Sequence, residues 1–264
     1  MYLPVLILTE SHQHGEVILE NAFPAEYDSL MGTLGGLSIP LRPVASFTAS
    51  GRPLSPKRHM RSLGGERLPF ILPVDQAALN QELDRSFRDA GWTTQPVASG
   101  AMAGADAPLG LKGDFHRNGV FVEVEFGNIA SMHRDFFKFQ IANRAGTGHV
   151  AVLIAATERL ARFFDSGVAT FEAAKRHLPY LAIGIQMPIC FLGFEPNSFE
   201  EIGRRYEEFR ELCELNGLEC HPFATALGAE VMDPLTGIPQ GEPVGGGESS
   251  ESESMANLFN QADD

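Results

Sequence analysis

The apolar residues of this chain recur with regular spacings that predict alternating helices and strands. Leu79, Leu83 and Phe87 recur at i, i+4 and i+8, which places them on one face of a helix. Asp75 before them is typical of a helix cap and Gly91 after them of a helix stop, so we predict a helix from about 75 to 90. By the same criteria we predict strands at 149–156 and 187–193 and helices at 168–178 and 198–216.

Two other apolar segments are less definite. Residues 131–144 fit a helix with Phe136, Phe137 and Ile141 facing inward, although the density of aromatic residues leaves a strand open. Residues 2–9 are apolar over too short a stretch to span a membrane, and no basic residue precedes them. They indicate a buried strand or the start of a helix, and not a signal peptide.

A β-hairpin with three carboxylates is predicted at 114–126. Its central dipeptide, Asn118-Gly119, favours a tight reversal, and the following residues, 120–126, are rich in β-branched and aromatic side chains. Because side chains alternate along a strand, Glu123 and Glu125 share one face, and Asp114 approaches them from the preceding segment. Oxygen ligands grouped in this way suit Mg²⁺, although the same spacing is also common in an ordinary half-exposed strand.

Alternating strands and helices indicate an α/β protein with a central mixed β-sheet flanked by helices on both faces. A chain of 264 residues with 44% hydrophobic composition can bury one large core. No linker composition occurs before about residue 235. We therefore expect a single domain over residues 1–240, followed by an acidic disordered tail at 241–264.

The net charge of −14 disfavours binding to nucleic acid, because phosphate contacts normally need Lys and Arg. The charge is unevenly distributed, however. The tail carries six acidic residues and no basic one, whereas residues 52–67 carry five Lys or Arg and one Glu in a segment expected to be a loop. This basic loop is either a solvated surface or a clamp for phosphates.

The three cysteines indicate a reduced, cytoplasmic protein. Cys190, Cys213 and Cys220 are odd in number and have no C-x-x-C spacing. We expect free thiols, with neither disulfides nor zinc ligands.

The segment from Gly113 to Asn128 resembles the active-site strand of the BglII/BstYI family of type II restriction endonucleases, within the PD-(D/E)xK nuclease superfamily. The resemblance extends to three further blocks in the same order, at residues 12–19, 149–156 and 187–194. It implies a restriction-endonuclease-like fold and Mg²⁺-dependent hydrolysis of phosphodiester bonds in double-stranded DNA. It further implies a homodimer that acts at a short palindromic site built around GATC, in a host that also encodes a protecting DNA methyltransferase.

The resemblance assigns roles to the carboxylates. It makes Asp114 and Glu123 the metal ligands, together with the backbone carbonyl of Val124. At Glu125 the chain departs from the pattern, because many enzymes of the superfamily have Lys there and the nearest family members have Gln. Endonucleases similar to BamHI have Glu, which could accept a proton as a general base. The assignment of the base is therefore left open.

Three residues near this strand are candidates for contacts with DNA. Asn128 falls where the family has Asn, and its amide either pairs with an adenine edge or caps the following helix. Arg134 and Lys138 lie at helical spacing and either contact phosphates or are ordinary solvated residues.

Two other functions keep the same residues. A nuclease of this superfamily that serves repair or phage defence would retain the carboxylates but recognise DNA structure instead of sequence. A DNA-binding module without activity would retain the fold, with Glu125 as the inactivating change.

Overall fold

The computed structural model describes residues 2–44, 60–63, 66–98, 111–164, 168–181 and 184–221. Most of the basic loop at 52–67 and the whole predicted tail at 241–264 lie outside these residues.

A mixed β-sheet forms the centre of the described structure. Its seven strands are β1 (Tyr2–His12), β2 (Ser38–Pro40), β5 (Thr93–Thr94), β6 (Phe115–Arg117), β7 (Val120–Glu125), β8 (Val150–Ala156) and β9 (Ile189–Pro196), in the order β2-β1-β9-β8-β7-β6-β5. Strands β7, β8 and β9 run parallel to one another, and the flanking strands pair antiparallel. Strands β3 (Met60–Leu63) and β4 (Glu66–Pro69) form a separate antiparallel pair. The prediction of a loop over 52–67 is therefore wrong for residues 60–63 and 66–67.

Helices cover both faces of this sheet. They are α1 (Gly15–Ala22), α2 (Pro24–Gly35), α3 (Gln76–Asp89), α4 (Ile129–Arg144), α5 (Glu158–Ala161), α6 (Phe171–Leu181) and α7 (Glu200–Leu215). One hydrophobic cluster joins one sheet face to α1, α2, α3, α5 and α7, and a second joins the other face to α4 and α6. The predicted architecture of a mixed sheet between helical layers is confirmed.

Strand β8 shows why the core has two halves. All of its residues are buried, and they alternate between the two clusters: Val150, Val152 and Ile154 enter the first, whereas Ala151 and Leu153 enter the second. A parallel strand with helices on both sides has no solvent face, so its sequence is apolar throughout.

The predicted helix at 75–90 is confirmed in its ends and its buried face. The carboxylate of Asp75 accepts a hydrogen bond from the backbone N–H of Ala78 (3.2 Å), and Leu79, Leu83 and Phe87 are buried. The other predicted elements also occur, as β8, β9, α6 and α7, with ends that differ by up to three residues. Such differences are usual for helix and strand ends.

Segment 129–144 is a helix, so the strand alternative is wrong, and one of its three predicted inward residues is also wrong. Phe136 is buried and Ile141 packs against the core, but Phe137 is 53% exposed. The buried stripe instead follows Met132, Phe136 and Phe139. The adjacent pair of phenylalanines cannot face the same way, because successive helical residues are rotated by about 100°.

The N-terminal segment forms strand β1, which confirms one of the two predicted alternatives but not its full burial. Leu6 is 43% and Leu8 37% exposed. Helix α6 packs on β8 and β9, so β1, the next strand outward, keeps one face partly in solvent. Within the described residues, no helix is both long and apolar enough to cross a lipid bilayer.

Candidate active site

The hairpin of β6 and β7 brings Asp114 against Glu123. Asn118 and Gly119 both have positive φ (46° and 88°), as a two-residue turn of this kind requires. The turn pairs Phe115 with Val122, so Asp114 lies one residue beyond this pair, beside Glu123. One oxygen of Asp114, Oδ2, accepts a hydrogen bond from the backbone N–H of Val124 (2.8 Å), which fixes the carboxylate at the end of the hairpin.

Strand β7 turns both of its glutamates to the same face, where each is buried. Glu123 is 1% and Glu125 6% exposed, while Val122 and Val124 face the opposite hydrophobic cluster. Oε1 of Glu125 accepts a hydrogen bond from the backbone N–H of Gly127 (2.5 Å). A half-exposed strand would leave these carboxylates in water, so that alternative is wrong.

Helix α4 adds two charged residues to this group. The ammonium of Lys138 lies 2.9 Å from Oε2 of Glu123 and 2.8 Å from Oδ1 of Asp135, and both helical side chains are buried. The charge of Asp135 also acts on Glu125. We call Asp114, Glu123, Glu125, Asp135 and Lys138 the carboxylate cluster.

The pKa values of three acids in the carboxylate cluster are raised. Burial, followed by the charges of Asp114 and Asp135, raises the pKa of Glu123 to about 9. Burial and the charge of Asp135 raise the pKa of Glu125 to about 7. Burial also raises the pKa of Asp114, against the opposing effect of the Val124 N–H. Like charges in a desolvated place favour protonation unless a cation is present.

Lys138 is strongly held in its charged form. Burial by itself lowers the pKa of this lysine, but the attraction of Glu123 and Asp135 outweighs burial and the net shift is upward. Among the described residues, it is the only basic side chain that forms an ion pair with the carboxylate cluster.

The residues present fit a hard divalent cation. Oε1 of Glu123 is buried and has no hydrogen-bond partner, so this oxygen is available as a ligand. Four carboxylates and one ammonium have a formal charge of −3 when all are ionised, which one or two divalent ions would offset. In the described part of the chain, no three His, Cys, Asp or Glu side chains are arranged to hold one ion together. Mg²⁺ can be bound through one or two carboxylates, with water completing its coordination.

The three candidates for DNA contact occupy different environments. Oδ1 of Asn128 accepts a hydrogen bond from the backbone N–H of Ser131 (3.1 Å), so this residue caps α4, and a contact with adenine stays a prediction. Arg134 is exposed on α4, as a phosphate contact requires. Lys138 was expected on the solvated face of the helix, but it is only 6% exposed and points into the carboxylate cluster.

Asp135 was not among the residues predicted for the site. A signal for it exists, because residues 132, 135, 136 and 139 share the phase of the buried stripe of α4, and an acid in that phase must find a partner. Because Phe137 was predicted to face the core, the predicted buried face of the helix was rotated from the observed one. Asp135 and Lys138 therefore fell on the side predicted to be solvent-exposed.

Comparisons with known proteins bear on the family and the fold of this chain. The family model of the restriction endonucleases BglII and BglIII matches residues 7–194. The structure of BglII complexed with a DNA 16-mer is similar, with a TM-score of 0.52 at 18% identity over 73% of this chain and 79% of that chain. Free BglII gives a TM-score of 0.44 at 17% identity over 73% and 81% of the two chains. No curated protein sequence matches significantly.

The likeness to the DNA-bound structure confirms the predicted restriction-endonuclease-like fold, with its mixed sheet and flanking helices. The family match covers more than two thirds of the chain and includes the whole carboxylate cluster. The chain belongs to the BglII/BglIII restriction endonuclease family.

Proposed function

We propose that this protein is a Mg²⁺-dependent type II restriction endonuclease that hydrolyses double-stranded DNA at a short palindromic site containing GATC. The observation that carries the proposal is the buried group of Asp114, Glu123 and Glu125 on the hairpin of a chain from this family. Buried acids without sufficient counter-charge destabilise a fold, so their retention in one place is typical of a site that takes a cation.

The side chains of Asp114 and Glu123 and the carbonyl of Val124 would hold the ion. Bound magnesium would neutralise the scissile phosphate, make water a better nucleophile and stabilise the departing 3′ oxygen. Asp114 is already oriented by the Val124 N–H, and Glu123 has one free oxygen. Both ligands are therefore preorganised, which lowers the cost of assembling the site.

Glu125 is the proton acceptor in this proposal. It shares the strand face of Glu123, and its carboxylate is held by the N–H of Gly127. A carboxyl with a pKa raised to about 7 can take a proton from the attacking water near neutral pH. As the water oxygen bonds to phosphorus, the bond from phosphorus to the 3′ oxygen would break. The products are a 5′ phosphate and a 3′ hydroxyl, whose oxygen takes its proton from solvent water.

The DNA partner and the assembly follow from the same proposal. A homodimer places one carboxylate cluster on each strand of a palindromic site, because the two-fold axis of the protein then matches that of the DNA. Arg134 on the exposed side of α4 would contact a phosphate, and Asn128 would approach a base edge. A cytoplasmic enzyme of this kind requires a cognate methyltransferase to protect the host.

Cleavage of a long unmethylated DNA in Mg²⁺ tests the proposal. We expect discrete fragments from the wild-type protein and none from Asp114→Asn. The matched control is Asp84→Asn, which makes the same chemical change at an exposed residue of α3 that pairs with Arg88. The control should cleave as the wild type does.

The other outcomes identify the alternatives. A smear that Asp114→Asn abolishes indicates a nuclease that recognises DNA structure. Intact DNA with a gel shift in Ca²⁺ indicates a binding module. Intact DNA with no shift in any divalent ion rejects the proposal.

A further inference from the structure

The proposed hydrolysis assigns no role to the buried side chain of Lys138. Its ammonium is buried, and it bridges Oε2 of Glu123 on β7 to Asp135 on its own helix. The pairing with Asp135 spans three residues of α4, so the helix itself keeps the lysine beside the strand. The contact with Glu123 crosses from one element to another.

Stability alone does not account for this arrangement. Removing two charges from water costs about as much as their attraction returns, and apolar residues of similar volume often stabilise a core as well or better. The neighbours in the same hydrophobic cluster, such as Phe136 and Phe139, are apolar. A buried lysine among these residues stabilises the core less than an apolar side chain would. We infer that its positive charge has a role in function.

The two oxygens of Glu123 are used differently. Oε2 is bound to Lys138, whereas Oε1 is buried without a hydrogen-bond partner. Oε1 lies on the side of Gly113, where a Cβ built on that glycine would approach it to 2.9 Å. Lys138 thus fixes Glu123 with its free oxygen toward the start of the hairpin, which also carries Asp114.

The same contact opposes a divalent cation. An ammonium beside Glu123 adds a positive charge next to the ligand oxygen and neutralises part of the negative charge that would attract the ion. A cation at Glu123 would in turn weaken the ion pair with Lys138, because both would compete for the same carboxylate. The ammonium is then available to another anion at the site.

We propose that Lys138 is a mobile counter-charge, which neutralises Glu123 in the metal-free protein and moves to the scissile phosphate when a divalent cation takes that carboxylate. The proposal rests on the proposed function, since it requires a cation and a phosphate at this site. Lys138 keeps its proton throughout, and Asp135 acts as its tether. Lys138 is a positioning residue toward Glu123 and a phosphate contact in the loaded enzyme.

The test separates metal binding from cleavage. Calorimetric titration of the full-length protein with Ca²⁺, in the absence of DNA, should show about tenfold tighter binding for Lys138→Met than for the wild type, because one repelling charge is gone. Single-turnover cleavage at saturating Mg²⁺ should fall by about a hundredfold or more in the same variant, because the phosphate loses its counter-charge. Lys138→Arg keeps the charge and should restore most of both properties.

The control is Lys175→Met. Lys175 also lies on a helix of the same sheet face and pairs with a carboxylate, Glu10 (2.6 Å), but it is exposed and outside the carboxylate cluster. Neither Ca²⁺ affinity nor cleavage should change in this variant. If Lys138→Met does not fold, Lys138→Gln tests the same loss of charge with a side chain that can still donate to Asp135.

Tighter Ca²⁺ binding together with slower cleavage by Lys138→Met supports the proposal. Weaker Ca²⁺ binding together with slower cleavage would show that Lys138 only supports the structure, and would overturn it. Cleavage at the wild-type rate by Lys138→Met would overturn it as well. Failure of the proposed function is seen separately, because the wild-type protein would then leave DNA intact.

Discussion

Glu125 is a buried residue that affects both the stability of the fold and the proposed reaction. Its carboxylate accepts the Gly127 N–H, yet it also lies against Asp135, and both are buried. Two acids in contact repel when ionised, so the metal-free fold is destabilised at this point. A buried acid with a raised pKa is typical of a functional site.

Glu125→Gln tests this residue. Glutamine can still accept the Gly127 N–H through its amide oxygen but cannot take a proton from water, so the cleavage rate should fall by roughly 10²–10⁴-fold. The free energy of unfolding of the metal-free protein, measured in urea, should rise by about 1 kcal/mol, because a buried like-charge contact is removed.

Glu82→Gln is the control, since Glu82 is an acid of α3 that pairs with Arg85 away from the carboxylate cluster. Wild-type cleavage by Glu125→Gln would reject the role of proton acceptor.

At the scale of elements, the rotation of α4 about its own axis decides the composition of the site. Met132, Phe136 and Phe139 dock on the sheet, and this places Asp135 and Lys138 over β7. Aromatic side chains at 136, 137 and 139 allowed more than one inward face from the sequence. The correct one depends on the shape of the sheet surface, which no local pattern contains.

Two alanine variants test the rotation of α4. Phe139 is fully buried, so Phe139→Ala should lower the free energy of unfolding by about 3–5 kcal/mol. Phe137→Ala removes an identical side chain that is 53% exposed, and should cost about 1 kcal/mol or less. Equal losses in chemical denaturation would contradict the observed orientation.

The hairpin turn is the second element on which the site depends. Gly119 has a φ of 88°, and a Cβ there would lie 2.6 Å from the ring of His149. Gly119→Ala should therefore destabilise the protein by about 1–3 kcal/mol through strain and should slow cleavage, because the turn sets the register of β6 and β7.

Gly32→Ala is the matched control for the turn. Gly32 lies in α2, where a Cβ would meet nothing within 4 Å. Alanine should be neutral or stabilising by up to about 1 kcal/mol at that position. If alanine lowered the free energy of unfolding as much at Gly32 as at Gly119, the backbone conformation of the turn would not be the cause of the loss.

At the scale of the whole molecule, charge opposes the proposed DNA partner. The chain carries −14, of which the predicted tail at 241–264 contributes six negative charges. Removal of those residues changes the net charge to −8, since −14 minus −6 is −8. A strongly negative protein repels phosphates at distances below the screening length.

Truncation after residue 240 should therefore raise DNA affinity several-fold at low salt, measured by gel shift in Ca²⁺ with the wild-type chain alongside. The gain should shrink as salt is added, because surface charges are screened. An unchanged affinity at low salt would show that the charge of the tail does not oppose DNA binding.

Features that depend only on neighbouring residues could be predicted before the fold was known. Asn118-Gly119 specifies a two-residue turn, and strand alternation then puts Glu123 and Glu125 on one face with Asp114 beside them. The helix at 75–90 could be predicted in the same way, because its capping residue and its periodic apolar residues lie within one segment of the chain. The family could also be identified from the sequence, because the segments that resemble it occur in the same order along the chain.

The charged residues that complete the site could not be predicted in this way, because they come from a separate helix. Asp135 and Lys138 meet Glu123 from a helix that begins after the strand has ended, and their approach depends on how α4 packs against the sheet. Burial of Glu123 and Glu125 is likewise a property of the assembled layers, because α4 and the sheet together exclude water. Sequence spacing fixes the direction of a side chain along its own element, but the packing of elements fixes what it meets.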